Sequence, residues 1–193
     1  MKSIPALLAL AGLLSTLCAA ADVESTAATG LAVKTNRELA QLYSEDQADR
    51  QPKDGKWTYS RAVRRRDEAR LKRVMEIYRA GELKTGWDYF HAAIILQHGR
   101  RKEDYLLSHE LCVTAVFNAG NEKADWVGLA KWLAAASEDR FLLEIHRAQR
   151  FGTQFKGERR ARMEDGVTDA LRKMWNVPPL AEAKENPAEK NKK

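Results

Sequence analysis

Apolar residues recur along this chain at intervals of three and four, without sustained alternation, and glycines interrupt the pattern at Gly81, Gly99 and Gly120. A spacing of three to four brings side chains to one face of an α-helix, whereas a half-buried strand needs a period of two. Leu71, Val74, Met75 and Tyr78 sit at i, i+3, i+4 and i+7 on a segment opened by Ser60 and stopped by Gly81. Thr85 with Asp88 three residues on has the spacing of a capping box and starts a helix carrying Trp87, Phe90, Ala93 and Ile94 to Gly99. Thr35 and Glu38 have the same spacing and open an earlier helix through Leu39, Leu42 and Tyr43. Glu103 to Asn118 is apolar round much of its circumference, which predicts a central, buried helix ended by Gly120. Asn121 caps a fifth helix with Trp126, Leu129, Ala130, Leu133 and Ala136 in one stripe. Ser137 either caps a short sixth through Phe141, Leu142 and Ile145 or lies inside a fifth that runs on. The fold class expected is all-α: a compact array of antiparallel helical hairpins, then an extended loop and a short C-terminal helix through Val167, Leu171 and Trp175. No internal repeat marks a solenoid.

The two ends read differently. Lys2, the apolar run Ala6 to Leu17 and the small residues Ala19 to Ala21 have the layout of a signal peptide over residues 1–21, with cleavage before Asp22. A lipoprotein acylated on Cys18 is the rival, but Leu17 is bulky where the sites it would resemble carry Gly, Ala or Ser, so soluble export to the periplasm or beyond is expected over acylation. Residues 22–34 read as a flexible leader, 35–180 as one helical domain and 181–193, composed of Ala, Glu, Lys, Asn and Pro, as a disordered polar tail. A mature chain of about 170 residues suits one domain with a sizeable core. No later apolar stretch is long enough to span a membrane. Once Cys18 leaves with the signal, Cys112 is the only thiol, so an internal disulfide is excluded and a buried, inert thiol is expected.

The formal charge of +6 is local. Removing Lys2 leaves +5, and the segment Arg61 to Arg73 alone carries seven basic residues against two acidic ones, also +5. Arg64, Arg65 and Arg66 are its centre. They read as a solvated helix face, with an anionic envelope component or partner protein as the binding alternative and nucleic acid excluded by export.

Five short motifs carry a resemblance: Asp46-Gln47-Ala48-Asp49-Arg50, Asp88-Tyr89-Phe90-His91-Ala92-Ala93, Gln97-His98-Gly99, Asp139-Arg140 and Gln149-Arg150-Phe151-Gly152-Thr153-Gln154. Together they resemble a bacterial family of uncharacterised proteins, domain of unknown function 6624, over Arg37 to Leu180. The resemblance implies no activity. It implies that Gln97, His98, Asp139, Arg140, Gln149, Thr153 and Gln154 belong together in the fold.

These residues fall at helix ends and in the extended loop, where polar groups can surround one pocket. In the catalytic reading His98 is a general base, Asp139 orients it, Arg140 holds an anionic substrate group and Gln154 donates to a developing oxyanion. In the structural reading the same side chains satisfy the stranded backbone of an irregular loop, which glutamines and threonine do without titrating. The structural reading is preferred. Gln97, Gln149, Thr153 and Gln154 remain binding candidates under either. His109 with Cys112, and Asp88 with His91, offer two possible metal ligands per helix face, half a site, and no metal is expected. No glycine-rich phosphate loop or nucleophile elbow is present, and nothing argues for a cofactor. The function expected is therefore a non-catalytic helical binding domain of the cell envelope, with a hydrolase-like enzyme built on His98, Asp139, Arg140, Gln149 and Gln154 as the alternative.

Overall fold

A computed structural model describes residues 34–52, 59–120, 124–157 and 159–184, together with the backbone of two short paired segments nearer the N-terminus. The signal peptide expected over 1–21, the cap expected at Asn121 and residues 185–193 of the expected tail lie outside the described residues. The protein is all-α. Within the expected leader, β1 (Ser25–Thr26) pairs antiparallel with β2 (Ala32–Val33). The helices then follow as α1 (Arg37–Ala48), α2 (Arg61–Arg79), α3 (Gly86–Leu96), α4 (Lys102–Ala119) and α5 (Asp125–Glu144). A long loop carries the two-residue pair β3 (Phe155–Lys156) and β4 (Arg159–Arg160), and α6 (Asp169–Met174) and α7 (Leu180–Lys184) close the chain.

Asn36, not Thr35, caps α1: its side-chain oxygen accepts from Leu39 N–H at 3.0 Å. The box fails because Glu38 is drawn away to Arg73 of α2. At α3 the expected box is present, and the Asp88 carboxylate does more than cap. It accepts from the backbone N–H groups of Lys84 and Thr85 and from Asn36 at 2.8 Å, tying the start of α1 to the start of α3.

The central buried helix is α3 rather than α4. Every residue from Phe90 to Gln97 is buried, because α1, α2, α4 and α5 all pack around it. Gly86 permits the closest approach: a Cβ there would stand 2.9 Å from both the Ala115 carbonyl oxygen and the Trp126 ring. Ser108 of α4 donates to the Ala93 carbonyl of α3 and meets Ser137 of α5, while Tyr105 reaches Gly99; the three helices run as successive antiparallel hairpins. Helix α4 buries Leu111, Cys112 and Ala115 but leaves Leu106 and Val113 half outside and Phe117 83% exposed. Its near-uniform apolarity therefore includes an outward stripe. Ser137 lies inside α5, so the fifth and sixth helices are one; its hydroxyl is spent on Ser108 instead of a cap.

In α2 the buried stripe is Val63, Asp67, Arg70, Val74 and Ile77, with Tyr78 exposed. The helix is rotated from the expected face because two charged residues point inward toward α1. A second, smaller core of Ala135, Phe151, Val167 and Val177 holds the loop and α6 against α5. Ordered structure continues into the expected tail, since Ala183 of α7 is buried.

Candidate functional site

The C-terminal ends of α1 and α3 meet beside the inward face of α2. Asp46 sits on the last turn of α1, fully buried, and its Oδ1 is 3.1 Å from His98 Nδ1. Arg50, just past α1, donates from Nε to His98 Nε2 at 3.0 Å. A guanidinium has no acceptor, so Nε2 is the acceptor and Nδ1–H donates to Asp46: His98 is neutral in a defined tautomer. Burial and Arg50 lower the His98 pKa, against the raising effect of Asp46. Burial pushes the Asp46 carboxyl up, but His98, Arg50 and Arg70 outweigh it and hold the group below the usual carboxylate range.

Around this dyad lies a closed set of ion pairs. Arg50 Nη2 reaches Asp67 Oδ1 at 3.1 Å, Arg70 Nη2 bridges Asp67 at 2.7 Å and Asp49 at 2.8 Å, and Arg66 grips Asp49 with two bonds. Tyr59 donates to Asp67 Oδ2 at 3.0 Å, and burial followed by the Asp67 charge pushes its phenol up to about 12. Three carboxylates face three guanidiniums, and geometry of this kind is what makes a buried ion cluster tolerable.

Gln97 connects this cluster to the loop. Its side-chain nitrogen stands 3.0 Å from His98 Nε2, and its backbone carbonyl accepts from Arg140 Nη1 at 2.6 Å. Arg140 also reaches Gln154 Oε1 at 3.4 Å and lies over the Tyr105 ring, 5.3 Å from its centroid.

Asp139, next to Arg140 on α5, faces the other way. One carboxylate oxygen accepts from the backbone N–H groups of Arg150 and Phe151, and the other from the N–H and hydroxyl of Thr153. Burial raises its pKa against those four donors. Gln149 completes the loop's internal frame: its amide donates to the Gln154 and Ala161 carbonyls and its oxygen accepts from Gln154 N–H. Arg172, fully buried, donates to the carbonyls of Phe151, Arg150 and Pro178.

The structure thus brings His98, Gln97, Arg140 and Gln154 into one network and places Asp139, Gln149 and Thr153 in an adjoining frame around the loop. The expected role of Asp139 as the orienting carboxylate of His98 is corrected: Asp46 holds Nδ1, because the short step from α3 into Gly99 turns the imidazole toward α1. Gln154 does not present its amide for an oxyanion, since that nitrogen donates to Thr153 Oγ1 at 3.0 Å and the Ala136 carbonyl at 3.3 Å. In the basic run, Arg66 is committed to Asp49, Arg64 lies 3.8 Å from Glu68, and Arg65 is exposed.

Sequence reasoning passed over Asp46, Arg50, Asp67 and Arg70 as site residues. A signal was present: Asp67 and Arg70 share the phase of Val63, Val74 and Ile77, so they had to be buried with that stripe and therefore paired. Of the two half-sites for metal, His109 Nδ1 meets the Ala134 carbonyl at 2.9 Å and Cys112 is sealed, with burial pushing its thiol up. Asp88 is spent on the backbone, and His91 stacks on Tyr43. No group of three or more potential metal ligands occurs among the described residues.

No family model, curated protein or solved structure matches this chain. The functional reading therefore rests on its own geometry.

Proposed function

We propose that this chain is an exported, non-catalytic helical module of the cell envelope that recognises another protein. The observation that carries the reading is the occupation of the proton-transfer groups by the chain itself. Both nitrogens of His98 and both oxygens of Asp139 already have partners, and substrate has no lone pair to meet without dismantling the network. What faces outward instead is the α4 stripe of Leu106, Val113 and Phe117, an apolar line on the surface of a charged protein. The basic face of α2 is the weaker surface, because Arg66, Arg70 and Arg73 are neutralised by Asp49, Asp67, Glu38 and Glu76. Export rests on the signal-like start, and no helix among the described residues is long and apolar enough to cross a membrane. The resemblance to domain of unknown function 6624 belongs to the same proposal.

A photo-crosslinking residue placed at Phe117 in cells should give one discrete adduct that disappears when Leu106 and Val113 are changed to Ser. The same probe at Arg65 should give none. A Phe117 probe that yields no adduct in any growth condition refutes the surface. Sequencing of the mature N-terminus should start at Asp22.

A second reading has its own observation. A carboxylate on His98 Nδ1 is the arrangement that sets up Nε2 as a general base in hydrolases, with Asp46 as the orienting group. Arg50 and the Gln97 side-chain nitrogen must both leave Nε2 for that chemistry, so Arg50→Ala, which removes one of the two, should raise any hydrolytic rate on ester or phosphoester panels. Under the non-catalytic reading the same change only destabilises the fold.

A further inference from the structure

The ion pairs of the His98 region balance almost completely. Asp46, Asp49 and Asp67 offset Arg50, Arg66 and Arg70, Asp104 pairs with Arg101, and Glu138 with Arg150. Two cations remain beside Gln97 and Tyr105. Arg140 is half-buried, yet no carboxylate oxygen among the described residues lies within ion-pair distance of it; Glu144, one turn further along α5, acts only at longer range. Burial lowers the Arg140 pKa accordingly. The C-terminus of α3, met through the Gln97 carbonyl, and the Tyr105 ring face offset part of the guanidinium charge, and neither is a counter-ion.

The donor count points the same way. Arg140 Nη1 and Nε are engaged by Gln97 and Gln154, while Nη2 donates to no described residue. Nη2 is also not one of the sealed, unpartnered atoms of the interior, so it reaches solvent. Arg100 is exposed, makes no ion pair among the described residues, and directly follows Gly99, whose carbonyl accepts from the Tyr105 hydroxyl at 2.9 Å. Tyr105 thus carries the Arg140 guanidinium on its ring face and is tied through its hydroxyl to the residue before Arg100.

We propose that this pole binds a single oxyanion, a carboxylate or a phosphate group, on the Nη2 edge of Arg140 with Arg100 as the second cation. Arginine suits such groups because its planar fork donates along directions that match their oxygens. The proposal goes beyond the α4 surface and does not depend on it.

The test uses the mature chain from Asp22 onward, with inorganic phosphate and acetate as probes, each compared with chloride at matched ionic strength and neutral pH. Thermal unfolding should show saturable stabilisation by at least one probe. Phosphate alone identifies a phosphate site, and stabilisation by acetate identifies a carboxylate site. Arg100→Ala should weaken the effect about tenfold, the loss of one charge-assisted contact, without lowering the melting temperature in chloride. Arg140→Lys tests the fork itself and should weaken the same binding. Arg65→Ala and Phe117→Asp should leave it unchanged, so failure of the α4 reading is read separately. The proposal is overturned if neither probe stabilises beyond chloride, or if Arg65→Ala weakens binding as much as Arg100→Ala.

Discussion

Among the described residues His91 is the one buried side chain left with two unpartnered polar atoms; Arg64, Arg70 and Arg160 each leave only Nε unmet. Its ring is 2% accessible, stacked 4.1 Å from Tyr43 at 12° and 4.5 Å from Trp87, and no described residue partners either nitrogen. A neutral imidazole has one donor and one acceptor, and leaving such groups unmet costs roughly 1–3 kcal/mol each. Burial also pushes the His91 pKa from 6.5 to about 3. The unfolded chain therefore takes up the proton first, and the stability that His91 contributes is complete above pH 6.5 and is lost as pH falls toward 3. At about 1.4 kcal/mol per unit, the fall over two units, from pH 6.5 to 4.5, is on the order of 2.7 kcal/mol. His91→Phe keeps the aromatic stack, removes the orphaned nitrogens and removes the titration. Urea unfolding at pH 7.5, 6.5, 5.5 and 4.5 should find the variant at least as stable as the parent at the top of the range. Its advantage should then widen by about 1.4 kcal/mol per unit below pH 6.5. Parallel stability curves, or a variant less stable at every pH, would refute the claim that His91 is buried neutral and unpartnered.

Asp139→Asn turns one accepting oxygen into a donor facing the hydroxyl and N–H of Thr153 or the N–H groups of Arg150 and Phe151; it should cost about 2–4 kcal/mol and make the loop at 149–163 the first site of limited proteolysis. Gly152→Ala should destabilise by about 1–3 kcal/mol in urea unfolding, since Gly152 has φ +73 and a Cβ would stand 2.6 Å from Met163 Sδ. Cys112, fully buried with its thiol pushed up, should ignore a thiol-specific chromogenic reagent in native buffer and react stoichiometrically in denaturant.

The helices and most of their ends are local events, which is why spacing alone located them. Ser60 and Thr85 cap as expected because a hydroxyl and an N–H three residues apart on one backbone need nothing from the rest of the chain. Thr35 misled because the choice between two adjacent caps was made elsewhere, by Arg73 taking Glu38 and by Asp88 taking the Asn36 N–H. The exposed line on α4 was hidden for a related reason. Apolarity shows that a face avoids water, but only the packing of α3 and α5 decides which residues have neighbours, and Phe117 has almost none.

The grouping of the site was legible only in outline. Sequence order placed His98, Arg140 and the loop glutamines at the ends of elements, and they do converge. Which carboxylate meets His98 was not legible, because Asp46 and Asp139 lie 52 and 41 positions away, and hydrogen-bond geometry is fixed by where helix axes cross.

By itself, then, the sequence determined a helical chain with a signal-like start and a basic charge concentrated on one helix, since each of these is a property of neighbours along the backbone. The tertiary structure alone decided that the basic helix is tied inward to α1, that Asp139 serves the loop, that His91 stands unpartnered and that Arg140 keeps an unanswered charge. Those are relations between side chains far apart in the chain, and their energies depend on distances of a few ångströms that no local pattern encodes.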